Sequence, residues 1–251
     1  MLKKRIVPLM LLREGRLVKG VAFSDYRDVG DPVKSAQVYS DQDADELVLI
    51  NIEGDKGLSN LVNILPDLTK NVFMPLTLGG GIRSFSDAAL LINSGSDKVI
   101  LNSAVYVSPS IIGDIANRFG VQSVVVSIDV RKHESGYVLY SHNGLQREAV
   151  ALDKHVQLCI DHGAGEILIQ NIDNDGTMKG FDIELGKYVH DISSVPVILS
   201  AGSGDYSHLK DAFVTADVAA IACGSLFNFS DSSPIRAKSY LSNYGVKYKQ
   251  K

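Results

Sequence analysis

Short apolar runs alternate along the whole chain with longer stretches in which apolar residues recur every three or four positions. That is the pattern of parallel strands covered by amphipathic helices. It predicts strands over 6–12, 47–52, 76–78, 99–101, 123–129, 166–171, 197–199 and 218–222. Helices are predicted over 31–43, 60–70, 84–94, 109–119, 152–162, 183–192, 206–215 and 234–243, the first opened by Asp31 and Pro32, a good cap and first-turn pair. A polar, hairpin-like insertion over 131–147 interrupts the alternation, and Tyr248 onward reads as a frayed end. Eight strand–helix units with no dividing linker predict a single domain over 1–251, an α/β fold of the (β/α)8 barrel type.

The pattern also repeats by halves. Met74-Pro75-Leu76 leads through Gly79-Gly80-Gly81 into a helix, and Val195-Pro196-Val197 leads likewise through Ser200-Ala201-Gly202, so that Gly79 falls on Ser200. Each copy continues through a helix to a strand that ends in small polar residues, Asn102-Ser103 in one and Gly224-Ser225 in the other. Glycines at a strand end let backbone N–H groups approach an oxyanion, and the helix that follows turns its positive end toward the same point. A half-barrel repeat with two such ends predicts two phosphate cradles on one face.

Composition narrows the class without changing the fold. The 251 residues are 45% hydrophobic and 22% charged, with a net charge of −4, which leaves no general surface for nucleic acid. No run reaches the roughly 18 apolar residues of a membrane span. The run after Met1-Leu2-Lys3-Lys4-Arg5 is too brief for a signal peptide. Cys159 and Cys223 lack metal or redox spacing, so a cytoplasmic protein without metal or cofactor is expected.

Two groups of residues carry candidate chemistry. Asp129 ends the otherwise apolar run Val124-Val125-Val126-Ser127-Ile128, where a carboxylate is costly unless it is solvated or employed in proton transfer. Its position in the other half is taken by Leu11, so one half offers a carboxylate and the other offers none. At the opposite face, Arg5, Glu46, Lys98 and Glu166 stand at strand starts, either as ordinary solvated charges or as a ring of ion pairs across the barrel floor.

From Lys4 to Leu241 the chain resembles the cyclase-subunit (HisF) family of imidazole glycerol phosphate synthase. The matching segments include Gly79-Gly80-Gly81-Ile82, Ser96-Asp97-Lys98, Ser127-Ile128-Asp129, Gly163-Ala164-Gly165-Glu166 and Asp173-Asn174-Asp175-Gly176-Thr177. The resemblance implies a glutaminase partner docked on the floor, with ammonia crossing the barrel to a substrate that carries two phosphates. It makes Arg5, Glu46, Lys98 and Glu166 an ammonia gate and puts Asp97 at the glutaminase interface. Gly81, Asn102 and Ser103 match one phosphate cradle; Gly202, Gly224 and Ser225 match the other, with Asp175 and Gly176 nearby. Lys19 matches a lysine on a flexible loop that closes over substrate, and Asp129 matches one of two catalytic aspartates. The second of these falls at Leu11, and a further family aspartate falls at Asn51.

Those departures favour, within the family, the (WbuZ-like) branch associated with glycosyl amidation. In that reading the barrel receives ammonia for a separate sugar amidotransferase that acts in surface polysaccharide biosynthesis. The alternatives are a cyclase of histidine biosynthesis and a non-catalytic barrel that activates the glutaminase.

Overall fold

The computed structural model describes residues 3–248; Met1, Leu2 and the last residues of the expected frayed end lie outside the described residues. Eight parallel strands close on themselves: β1 (Arg5–Arg13), β2 (Leu47–Asn51), β3 (Leu76–Gly79), β4 (Lys98–Leu101), β5 (Val124–His133), β6 (Glu166–Asn171), β7 (Val197–Ser200) and β8 (Ala220–Cys223). Each pairs with its neighbours in sequence, and β8 pairs with β1 to complete the barrel. Helices cover the outside, so the fold is a (β/α)8 barrel.

Alternation along the strands sorts side chains into two cores. Outward residues such as Ile6, Leu47, Leu49 and Leu78 pack against helices, while Val7, Leu9, Val48, Ile100, Val125, Leu168 and Ile198 fill the interior. Local sequence sets the helix starts. Asp31 accepts from the Lys34 N–H and is followed by Pro32. Ser84 and Asp87 cap each other's backbone in a reciprocal box, as Asp205 and His208 do in the other half. Such caps are each worth about 1 kcal/mol.

The half-repeat extends further than the glycine-rich strand ends. A five-residue helix follows β4 (Ser103–Val107) and another follows β8 (Ser225–Phe229). An antiparallel ribbon leaves the top of β1 (Arg16–Val21 and Ser24–Gly30) and another the top of β5 (Gly136–Ser141 and Gln146–Arg147). The second ribbon is the polar insertion expected from the sequence. The first hides in a mixed run of charges and apolar residues whose alternation is too short to identify it.

Candidate active site

The strand C-termini open into a cavity of about 530 Å³ with two unlike walls. One is polar: Asn102 after β4, Ser127 and Asp129 on β5, and Gln170 on β6. The other is apolar: Leu9 and Leu11 on β1, Ile50 on β2, then Ile52 and Tyr26. Asp129 and Gln170 are register partners on adjacent strands and therefore face inward side by side. The Gln170 Nε2 donates to Asp129 Oδ1 at 2.8 Å and the Asn102 Nδ2 donates to Oδ2 at 2.8 Å, with the Ser127 hydroxyl more distant at 3.4 Å.

Asp129 is only 4% exposed. Burial pushes its carboxyl up to about 6, against the pull of the Gln170, Asn102 and Ser127 hydrogen bonds, and the charge of Asp175 adds to the rise. A carboxyl poised there exchanges protons near neutrality, which is what a general acid/base requires.

Gly81 and Ser103 also line this cavity, but the Ser103 hydroxyl accepts from the His142 N–H of the second ribbon. Asn102, matched to a phosphate cradle, turns its amide N–H to Asp129 instead. Its Oδ1 is buried and finds no hydrogen-bond partner among the described residues. Asn51 at the end of β2 is buried against its own turn, its Oδ1 accepting from the Glu53 N–H at 2.8 Å. It is absorbed by local structure.

The second glycine-rich end lies beside the first. Gly202, Gly224 and Ser225 line a space of only about 10 Å³, together with Lys19 and Asp175. Gly202 has φ +101°, and a Cβ there would stand 2.1 Å from the Gly180 carbonyl oxygen, so the residue is required by backbone approach whatever it binds. Lys19, expected on a flexible loop, lies in a strand of the first ribbon and is buried, its Nζ donating to Asp175 Oδ1 at 2.6 Å. The ribbon is held by a hydrogen bond from the Ala22 N–H to the Asp175 carbonyl, and Gly176 passes so close to Gly20 that a Cβ would meet the Gly20 oxygen at 2.2 Å. Asp175 Oδ2 and Ser225 Oγ are buried without hydrogen-bond partners among the described residues.

At the other end of the barrel, Arg5, Glu46, Lys98 and Glu166 meet in a closed ring in which cations and anions alternate. Arg5 donates to Glu46 at 2.7 Å and to both oxygens of Glu166. Lys98 donates to Glu46 at 2.9 and 3.0 Å and to Glu166 at 2.6 Å. The Thr77 hydroxyl adds a 2.6 Å bond to Glu46. Although burial opposes ionisation of Glu166, Arg5 and Lys98 hold it below the ordinary glutamate value. Asp97, beside the ring, is exposed and accepts from the Leu76 N–H at 2.8 Å.

Thr77, Ser127 and Gln170 escaped the sequence reading. The signal was there in the alternation: residues 166, 168 and 170 share the inward face of β6, and residues 127 and 129 that of β5.

A barrel with this face and floor belongs to the histidine biosynthesis protein family, whose profile, described as "Histidine biosynthesis protein", matches residues 5–232. Within it the chain is similar to proteins named imidazole glycerol phosphate synthase subunit HisF. It is 37% identical to that of Bacillus pumilus over 250 residues, covering 98% of this chain and 99% of the relative. It is 40% identical to that of Exiguobacterium sibiricum over 98% of this chain and 99% of the relative. The match to that of Campylobacter concisus is 41% over 97% and 96%. These end-to-end likenesses to the synthase subunit overturn the expected placement in sugar amidation and surface polysaccharide biosynthesis. Leu11 and Asn51 are local departures, and two positions do not outweigh a likeness that runs the length of the chain. Among the described residues no helix is long and apolar enough to cross a membrane.

Proposed function

We propose that the protein is the cyclase-type subunit of an imidazole glycerol phosphate synthase and acts in the cytoplasm. A glutaminase subunit covers the floor and releases ammonia at the ring of Arg5, Glu46, Lys98 and Glu166. The ring excludes water and opens for a small neutral molecule. Above it, the apolar interior of Val7, Val48, Ile100, Val125, Leu168 and Ile198 favours neutral ammonia over ammonium, because an isolated charge is costly to bury there. Ammonia then reaches the cavity at Asp129 with its lone pair free.

The observation that carries the reading is one buried carboxyl, poised at about 6, at the top of a barrel whose floor is a closed ion-pair ring. Phosphate groups of the substrate are held at the two glycine-rich strand ends, the first near Gly81 and Ser103 and the second near Gly202, Gly224 and Ser225. Lys19 and Asp175 lie between them. Asp129 takes a proton from the attacking nitrogen and returns one to the leaving group during ring closure. Metal or cofactor plays no part in this proposal.

Leu11 supports a second reading, a barrel that activates the glutaminase without chemistry of its own, because it puts an isobutyl group on the wall opposite Asp129. Turnover of the histidine-pathway intermediate with an ammonium salt separates the two. The cyclase reading expects measurable turnover that falls by about 10²–10⁴ in Asp129→Asn, the usual contribution of a positioned acid/base. Turnover unaffected by that substitution, or none in the wild type, refutes it.

A further inference from the structure

Buried carboxylates need partners that suit their charged form, and those at Asp129 have an unusual composition. Each of its two oxygens receives one amide N–H at 2.8 Å, from Gln170 and from Asn102, and neither oxygen faces a cation. The remaining contact is the 3.4 Å approach of the Ser127 hydroxyl. The charged and titratable groups around it are Asp175, paired with Lys19, together with Tyr26 on the first ribbon and Tyr106 on the short helix after β4. Arg83 and His142 line the same cavity.

Gln170 is held by its strand. It is 8% exposed, sits opposite Asp129 in the parallel register, and presents Nε2 along the interior. Asn102 differs: its Nδ2 serves Asp129 while its Oδ1 is buried with no hydrogen-bond partner among the described residues. Rotation of that amide by half a turn therefore sacrifices no other hydrogen bond. It replaces a donor facing Asp129 Oδ2 by an acceptor, which is what a protonated carboxyl requires.

We propose that Gln170 and Asn102 are the positioning residues of Asp129: Gln170 fixes the carboxylate in the strand register, and Asn102 turns over as the proton arrives, donating to the carboxylate and accepting from the acid. A proton taken on Oδ2 is then held by Asn102 Oδ1 until it is handed on, and the amide turns back. No atom other than the proton changes owner. The pair lets one carboxyl serve as base and acid in succession without a cation that would lock it in the charged form. The inference rests on Asp129 being the proton-exchanging group proposed above, but its test reads the carboxyl directly and needs no turnover.

The test is a carbon-13 titration of aspartate side-chain carboxyls in the full chain, with the Asp129 signal assigned by its loss in Asp129→Asn. Wild-type Asp129 is expected to titrate near 6. Gln170→Met, close in volume, removes one donor and is expected to move the midpoint up by about one to two pH units. Asn102→Ala removes a partner of both forms and is expected to move it by clearly less than Gln170→Met does, and Gln170→Asn, which keeps an amide on a shorter arm, to recover part of the Gln170→Met shift. If Gln170→Met fails to fold, Gln170→Leu, which also lacks the donor, carries the same comparison. An Asp129 midpoint unchanged in every folded variant overturns the proposal. So does an Asn102 side-chain amide whose nitrogen-15 shift does not follow the Asp129 titration. If those signals move as expected while turnover is absent, the positioning is upheld and the proposed reaction is the part that fails.

Discussion

Lys98→Met opens the floor ring at one point while keeping a side chain of similar length. Lys98 Nζ has three carboxylate contacts within 3.0 Å, and its partners Glu46 and Glu166 have side chains only 3% and 10% exposed. Solvent does little to screen charges so placed. Removing the ammonium leaves two buried carboxylates to share Arg5, and breaking a buried pair in this way costs about 3–5 kcal/mol. That is a fifth or more of the roughly 5–15 kcal/mol that holds a domain folded. The loss depends on pH in a defined direction. Burial opposes ionisation of Glu166, but Arg5 and Lys98 outweigh it and hold the folded carboxyl below its ordinary 4.5. Its stabilising contribution is therefore complete above that value and is lost as pH falls through the lower folded one. In the variant the folded carboxyl climbs, so acidification to about pH 4.5 protonates it and relieves the repulsion. Urea denaturation at about pH 7 and pH 4.5 measures both effects, with the variant's deficit expected to narrow at the lower pH. A deficit under about 1 kcal/mol, equal at both pH values, would show the four charges to be as weakly coupled as surface pairs.

Two further outcomes follow from the upper face. Gly202→Ala forces a side chain onto a backbone at φ +101° with a 2.1 Å approach to Gly180, and it is expected to weaken inorganic phosphate binding at the second cradle and to lower the melting temperature; calorimetry with phosphate and a thermal melt check both. Asp129→Asn removes a carboxyl raised from 3.8 to about 6 by burial, so the variant is expected to be more stable than the wild type at pH 7 by up to about 3 kcal/mol, with the gain shrinking as pH falls through 6; thermal melts across pH measure it.

Much of this molecule is legible in its sequence. The strands of an eight-fold barrel are buried on both faces, so they stand out as apolar runs, and helix 183–192 fell at its observed bounds. Asp129 was visible for the same reason: a charge in such a run is conspicuous. Gln170 was not, because at a strand end an amide looks like the beginning of a loop, and only the register of β6 on β5 puts it beside Asp129. The ribbon that carries Lys19 is not legible because its charges sit on a short alternation. The burial of Lys19 depends on Asp175, far along the chain, which no local pattern reveals. The four floor charges are visible at strand starts, but spacing alone leaves a ring and ordinary solvated charges both open, since alternation of sign around a closed circle exists only once the strands are in register.

The central claim is that nitrogen travels from the floor through the barrel to Asp129. It is tested most directly by the ratio of glutamine hydrolysed to nitrogen incorporated, measured with the glutaminase subunit docked, in wild type and in Lys98→Ala. We predict a ratio close to one in the wild type and clearly higher in the variant, because glutamine hydrolysis continues while ammonia is lost at the opened floor. An unchanged ratio with folding and docking intact would contradict passage through the ring, and a wild type that incorporates no nitrogen at all would contradict the proposed reaction.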